Sequence, residues 1–402
     1  MTSAANAEKV APADARAGEV IPHAMHVITA LNVGGAERML KKIATGLDPA
    51  ALDIVSLIEP GITGEQLRAL GYEIEALGMT RGVPSLGALA KLRSLIEKRR
   101  PDALFGWMHH GFLACTIARL GLKNPPPLLW NVRHSLADIS HEPMQTQAIL
   151  RVCARLSTIP DAIVYNSHVA RRQYAALGFS DERAHVIPNG FDVQKFKPDS
   201  GARNRLAATF GIKGDEPIVA MVARLHPMKS QETLIAAFRT ALERGARARL
   251  LLVGEGLEAP PATIRDLAAT LPEGSITFSG HRTDLEAWLP GVDVVALSSR
   301  WGEAFPNVLG EAMASGVPCV ATHVGDSALI IGDTGAIAPP GDASALAVAL
   351  LQVLRLAPER RKALGEAARS RIIELYALDA VRSQYAKLLA SVCRPASNGV
   401  VS

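Results

Sequence analysis

Cysteine is scarce: Cys115, Cys153, Cys319 and Cys393 are the only four in 402 residues, and no two form a C-x-x-C pair. That spacing excludes a disulfide framework and a zinc ribbon, and fits a reducing compartment. No run of eighteen apolar residues occurs, so no helical membrane span is expected. The first residues are Ala-rich and carry Glu8, Asp14 and Glu19, without the apolar core of a secretory signal. Residues 1–22 therefore read as a mobile tail. Charge of one sign is not in excess: 43 basic against 39 acidic residues leave +4, so no nucleic-acid-binding stripe is announced. An apolar content of 48% with 20% charged residues excludes disorder. The length exceeds one ordinary core, which implies two domains.

What is present is a rhythm of short apolar runs alternating with helical patterns. Strands are expected at 26–31, 52–58, 103–107, 128–132, 162–165 and 184–187, with helices at 36–47 and 86–98. Residues 188–214 are turn-rich and charged, which suits a linker with one short helix. The rhythm then restarts, with strands at 217–223, 249–253, 276–278, 292–297, 317–321 and 335–337. Helices follow at 233–244 and from Ala343 and Pro358. This is α/β in class: two doubly wound halves with parallel sheets, taken as 23–200 and 201–376. The closing segment, 377–402, is helical with no strand after it and packs on either half, crossing back to the first in one arrangement. In such sheets ligands bind at the carboxyl ends of the strands, at the switch point.

The sharpest chemistry lies in the second half. A buried strand runs into Ser298-Ser299-Arg300-Trp301-Gly302, then Glu303-Ala304-Phe305, and Pro306 opens a helix that ends before Gly316. A helix start at a strand's carboxyl end is an anion site. Glu303 and Glu311 bracket it, and Asn307 shares a helix face with Glu311. A carboxylate beside an anion site accepts from hydroxyls. From spacing alone, the plainer reading is favoured: Glu311 an ordinary surface helix residue and Glu303 a solvated loop acid. Arg224 and Lys229 follow the first strand of this half, and an Arg fork with a Lys point charge suits a diphosphate. Gly254-Glu255-Gly256 and Gly280-His281-Arg282 end two further strands on the same edge.

The segment Gly302-Glu303-Ala304-Phe305-Pro306-Asn307-Val308-Leu309-Gly310-Glu311-Ala312-Met313-Ala314 resembles the E-x7-E signature of retaining GT-B glycosyltransferases, glycosyltransferase family 4 (glycosyl transferases group 1). Arg224 with Lys229, the Gly254 turn, Gly280-His281-Arg282 and Val186-Ile187-Pro188-Asn189-Gly190-Phe191-Asp192 resemble that family in the same order. The resemblance covers about residues 26–390 and implies two Rossmann-like domains facing across a cleft. It implies that Arg224 and Lys229 hold the diphosphate of a nucleotide-sugar donor, that Glu311 takes the ribose hydroxyls, and that Glu303 takes those of the transferred sugar. It places backbone amides of Phe305, Pro306, Asn307, Val308 and Leu309 against the phosphates (Pro306 itself has no N–H to give), and Glu255, His281 and Arg282 near the base. No D-x-D occurs, which removes the metal anchor of the other main glycosyltransferase fold. No metal and no cofactor are expected, the positive groups and helix end stabilising the leaving diphosphate instead.

In the first half, Leu31-Asn32-Val33-Gly34-Gly35-Ala36 is not a dinucleotide fingerprint, since G-x-G-x-x-G is missing. Gly34 and Gly35 form a tight strand-to-helix turn, and they resemble the family's loop at the donor phosphate. His134 ends the strand at 128–132 and resembles the family's cleft histidine, on the transferred sugar. His109 and His110 end the preceding strand and are candidate acceptor-side contacts. No third metal ligand joins them at suitable spacing.

Three rivals are weighed: a nucleotide-sugar epimerase or hydrolase, a nicotinamide-dependent dehydrogenase, and a non-catalytic sugar-nucleotide-binding protein. The dehydrogenase lacks its glycine and acidic set. The resemblance favours a UDP- or GDP-sugar donor and a glycan or polyprenyl-linked acceptor in bacterial cell-surface polysaccharide assembly, in the cytoplasm at the inner face of its membrane. Residues 85–100 put Leu86, Leu89, Leu92, Leu95 and Ile96 near one side and Lys91, Arg93, Lys98, Arg99 and Arg100 largely elsewhere. Such a helix either lies on an anionic bilayer or packs on its own sheet.

Overall fold

Apolar runs of three to five residues become parallel strands because their side chains are buried on both faces. The protein is described by a computed structural model over residues 22–393, except 33, 81–84 and 137. The expected tail lies outside the described residues apart from Pro22, as do Val33 and the end of the closing segment beyond Cys393. The first domain runs β1 (Ala24–Ile28), α1 (Gly35–Ala44), β2 (Leu52–Ser56), α2 (Ile62–Ala69), β3 (Ile74–Ala76), α3 (Leu86–Arg99), β4 (Ala103–Trp107), α4 (Met108–Ala118), β5 (Leu128–Val132), α5 (Met144–Leu156), β6 (Ala162–Tyr165), α6 (His168–Ala176) and β7 (Ala184–Val186). The second runs α7 (Ala202–Phe210), β8 (Ile218–Val222), α8 (Gln231–Glu243), β9 (Arg249–Val253), α9 (Ala262–Ala268), β10 (Ile276–Ser279), α10 (Leu285–Trp288), β11 (Val294–Leu297), α11 (Asn307–Ala314), β12 (Cys319–Thr322), α12 (Ser327–Ile331), β13 (Gly335–Ala338), α13 (Ala343–Leu354) and α14 (Pro358–Tyr376). A last helix, α15 (Leu378–Cys393), closes the described chain.

The sheets are ordered β3-β2-β1-β4-β5-β6-β7 and β10-β9-β8-β11-β12-β13, all parallel. Each has the doubly wound order, with its switch point between β1 and β4 or between β8 and β11. Alternation of side chains sorts the first domain's core into two layers. Met25, Val27, Leu128 and Trp130 pack with Leu92, Phe112 and Leu150 on one face. Ala24, Ile28, Phe105 and Leu129 pack with Leu40 and Ile43 of α1 and with Val381, Tyr385 and Leu389 of α15 on the other. The last helix thus belongs to the first domain's core. The chain's two crossings between domains lie side by side: Phe191 N–H donates to Tyr376 O and Leu378 N–H to Phe191 O, both at 2.9 Å.

One local expectation changes, and the structure takes one of two alternatives left open for α3. Pro306 stands at the N-cap of α11 rather than in its first turn, because its ψ of 117° is extended. Helix α3 packs on its own sheet: Ala88, Leu92 and Ile96 are buried, and Leu86 alone is highly exposed, at 86%. Its apolar stripe is therefore covered, and Lys91 and Arg93 donate to the carbonyls of Ala76 and Leu120 while Arg99 pairs with Asp53 and Glu73.

Candidate active site

The switch point of the second sheet is where the loops after β8 and β11 part, and they carry Arg224 with Lys229 and Glu303 respectively. Their backbones are tied, Arg300 N–H donating to Met228 O at 2.8 Å. Ser298 lies fully buried and its Oγ bonds the carbonyls of Lys229 and Ser230, each at 2.9 Å. Gly302 is required between them: its φ is +77°, and a Cβ there would collide with Met228 Sδ.

These ties bring Lys229 Nζ onto Glu303 Oε1, and Ser299 Oγ donates to the same oxygen at 2.6 Å. No described residue donates to Oε2, so one oxygen is held and the other is left for a ligand. Arg224 is exposed, with no carboxylate within ion-pair distance among the described residues. Immediately after Pro306, the first turn of α11 has no side-chain cap, so its N–H groups are available at the same edge. Lys229, Arg224 and a helix N-terminus are the three groups that stabilise a diphosphate.

Glu311, one turn on from Asn307, is buried, and its side chain faces the other domain. Lys42 of α1 approaches its Oε1 at 3.9 Å and also donates to Gly190 O at 3.1 Å. Burial pushes the Glu311 carboxyl above the usual carboxylate range, Lys42 and Arg38 pulling it partly back. Burial likewise holds the Lys42 amine below its ordinary value, against the pull of Glu311.

From the first domain, Gly34 is the N-cap of α1 and Gly35 its first residue, with no side-chain cap and no atom within 4 Å of a Cβ built on Gly35. This helix start lies at the β1–β4 switch point, with the Glu37 carboxylate folded back beside Gly34. His134, after β5, has Nε2 at 3.5 Å from Glu142 Oε1, while its Nδ1 is buried with no partner. Burial lowers its basicity, and Glu142 partly restores it. One residue before it, Arg133 is buried and donates to Tyr385 Oη at 2.9 Å and to Asn189 Oδ1. Asn189 in turn donates to Phe305 O at 2.9 Å and Asn307 Oδ1 at 3.0 Å. A polar chain from α15 through the His134 loop to the start of α11 thus registers the two domains.

Other expected residues are placed differently. His109 is buried, not on an acceptor surface: its Nε2 bonds Tyr174 Oη at 2.7 Å, and burial pushes its pKa down to about 3. It stands edge-on to His134, with ring centroids 6.4 Å apart, and so supports that ring. His110 is half-buried on the same helix. Arg282 is engaged by Asp284, its Nε donating to Oδ1 at 2.9 Å. His281 and Glu255 are exposed on their loops, and Glu255 O accepts from Leu225 N–H at 2.8 Å. Lys42, Arg133, Asn189, Ser299 and Glu142 were missed by sequence reasoning. Asn189 and Ser299 lay inside quoted segments, and that adjacency was their signal. Among the described residues no group of three or more His, Cys, Asp or Glu is arranged to hold a metal ion, and no helix is long and apolar enough to cross a membrane.

Comparison with known proteins covers both domains. Residues 33–195 match the family model described as Glycosyltransferase Family 4, and residues 216–355 the one described as Glycosyl transferases group 1. The chain is 26% identical to D-inositol 3-phosphate glycosyltransferase of Kribbella flavida, over 84% of this chain and 82% of that one. It is 32% identical to N-acetyl-alpha-D-glucosaminyl L-malate synthase of Bacillus anthracis, over 56% of this chain and 55% of the relative, so it spans about half of that relative's length. The crystal structure of Anabaena HepE in complex with UDP superposes with a TM-score of 0.79 at 23% identity, covering 92% of this chain and 99% of that one.

Proposed function

We propose that this chain, a glycosyltransferase of the GT-B type, moves a sugar from a UDP- or GDP-sugar to a hydroxyl of a glycan or lipid-linked acceptor with retention of configuration. Bacterial cell-surface polysaccharide assembly is the setting we favour. The observation that carries the reading is the cluster at the second switch point, where Lys229 and Ser299 hold one oxygen of Glu303 beside the uncapped start of α11. The UDP complex of HepE, a protein of the same fold, supports a nucleotide-sugar donor.

In this reading Lys229, Arg224 and the α11 amides take the diphosphate, Glu311 the ribose hydroxyls and Glu303 Oε2 a hydroxyl of the sugar. His134 meets the sugar from the first domain. The bond from the anomeric carbon to the phosphate oxygen breaks as the bond to the acceptor oxygen forms on the same face. The acceptor's proton passes to the departing diphosphate oxygen, so no protein base is needed. Stabilising charge that develops on that oxygen is worth about 10²–10³ in rate per donor group. Arg224→Ala is therefore expected to cut turnover by about that factor with the fold intact, and Glu303→Ala, which removes the acceptor that orients the sugar's hydroxyl, to cut it strongly as well. Transfer would be read with a panel of UDP- and GDP-sugars and a bacterial glycolipid extract. Wild-type turnover in either variant overturns the site, and nucleotide release independent of added acceptor would turn the reading to hydrolysis.

A further inference from the structure

Beside the site, on the sugar side of the switch point, the two domains enclose a cavity of about 380 Å³ that the donor reading does not use. Its walls are His168 and Arg172 of α6 from the first domain, and His323, Gly325, Asp326 and Leu329 from the second. It opens at the carboxyl ends of β6 and β12, one strand beyond β11 and its Glu303 loop. In the proposed donor reading the base lies toward the loops after β9 and β10 and the diphosphate between the loops after β8 and β11. The cavity floor is bonded to the Glu303 loop itself: Asp326 N–H donates to Ala304 O at 2.9 Å. Gly325, with φ +60°, lies so close that a Cβ would collide with Glu303 O. A group held here is thus a direct neighbour of the transferred sugar.

The lining carries one guanidinium, Arg172, two imidazoles, His168 and His323, and one carboxylate, Asp326. Asp326 is the one acid in the lining, and it is 4% exposed with both oxygens spent: Oδ2 accepts from His168 N–H at 2.8 Å and Oδ1 from Val169 N–H at 3.1 Å. Arg172 stands one helical turn from His168 on the same face and is exposed, with no carboxylate within ion-pair distance among the described residues. His323 meets them from the opposite domain. A guanidinium fork flanked by two imidazoles, converging from two sides, suits a tetrahedral oxyanion. The volume lies in the lower part of the roughly 300–1,000 Å³ range of small-molecule sites.

We propose that this cavity binds a phosphate group carried by the acceptor, anchoring it while its hydroxyl reaches the sugar. The proposal rests on the transferase reading of the adjacent cleft. The phosphate belongs either to a soluble phosphorylated sugar or to a lipid headgroup ending in a phosphomonoester, and both present the same terminal phosphate oxygens.

The test uses the full chain labelled at histidine, with UDP and, in parallel, GDP added in excess to fill the donor diphosphate site. Inorganic phosphate and then glucose 6-phosphate are titrated while histidine ring resonances are followed, His168→Gln and His323→Gln assigning the two signals. Both signals are expected to move with one midpoint, and Arg172→Ala to weaken that midpoint about tenfold while Arg172→Lys retains most of it. Static signals, or a midpoint unchanged in Arg172→Ala, overturn the proposal. Failure of both nucleotides to bind overturns the donor reading instead, and the phosphate titration still reports on the cavity. Sedimentation with phosphatidic acid vesicles separates the sources. Arg172-dependent pelleting identifies a lipid headgroup, and soluble binding without pelleting a free phosphorylated acceptor.

Discussion

Removing Lys229 is expected to hurt more than removing its partner, and removing both less than the sum. The Glu303 side chain is 9% exposed and that of Lys229 16%, and Lys229 Nζ and Ser299 Oγ share one carboxylate oxygen. Lys229→Met leaves a buried carboxylate with a single hydroxyl. Stranding one member of a buried pair costs about 3–5 kcal/mol, and the partial exposure of this pair brings the expected loss to about 2–3 kcal/mol. Glu303→Gln strands an ammonium that water reaches more readily, for about 1–2 kcal/mol. The double variant strands neither charge and loses only about 2 kcal/mol, a coupling of about 2 kcal/mol between the two positions. Urea unfolding followed by the fluorescence of Trp288 and Trp301, both in the second domain, reads this directly. Saturating UDP should shrink the coupling, since its diphosphate competes for Lys229. Additivity within about 0.5 kcal/mol would refute the claim that Lys229 compensates Glu303.

Nucleotide binding should weaken as pH falls through the raised pKa of Glu311. Ribose hydroxyls favour its ionised form, so the free protein holds the proton more tightly than the complex and binding releases it. Lys42→Met removes the counter-charge and should move that fall to higher pH; calorimetry showing affinity flat with pH in both proteins would refute it. The folding linkage has the opposite sense: a carboxyl whose folded pKa is raised contributes stability below its unfolded value, lost as pH rises through the folded one. Turnover should be unchanged in EDTA, because Lys229, Arg224 and the α11 N-terminus already supply counter-charge to the diphosphate; restoration of lost activity by Mn²⁺ or Mg²⁺ would contradict this. With the apolar stripe of α3 buried, any hold on anionic vesicles through this helix rests on Leu86 and on Lys98 and Arg100, which are exposed. Low-salt pelleting with phosphatidylglycerol vesicles should be weak and vanish on charge reversal of Lys98 and Arg100; pelleting untouched by that change would move the contact elsewhere.

How much of this was legible in the residues follows from what each element must bury. Strands such as β4, β5, β6 and β9 are covered on both faces, so they are continuous apolar runs whose ends show in the text of the sequence. Helix α4 is covered too, with Phe112, Ala114, Cys115 and Ala118 buried, and so lacks the polar face that would mark it as a helix. The strand-end loops were legible because Gly302, Pro306 and the charges around them sit next to one another in the chain. The partners of those charges were not. Lys229 and Glu303 are 74 positions apart in the chain, and Arg133 and Tyr385 are 252 apart. The second contact exists only because α15 returns to the first domain's core, an outcome the periodicity of α15 leaves open. Its apolar stripe, with Val381, Tyr385 and Leu389, fits any sheet face. What decides the matter is the pairing of Phe191 with Tyr376 and Leu378, which turns the chain back beside its own outward crossing. The same turn delivers Tyr385 to Arg133, so the closing helix that says least in sequence is the one that sets the register between the His134 loop and the N-terminal end of α11.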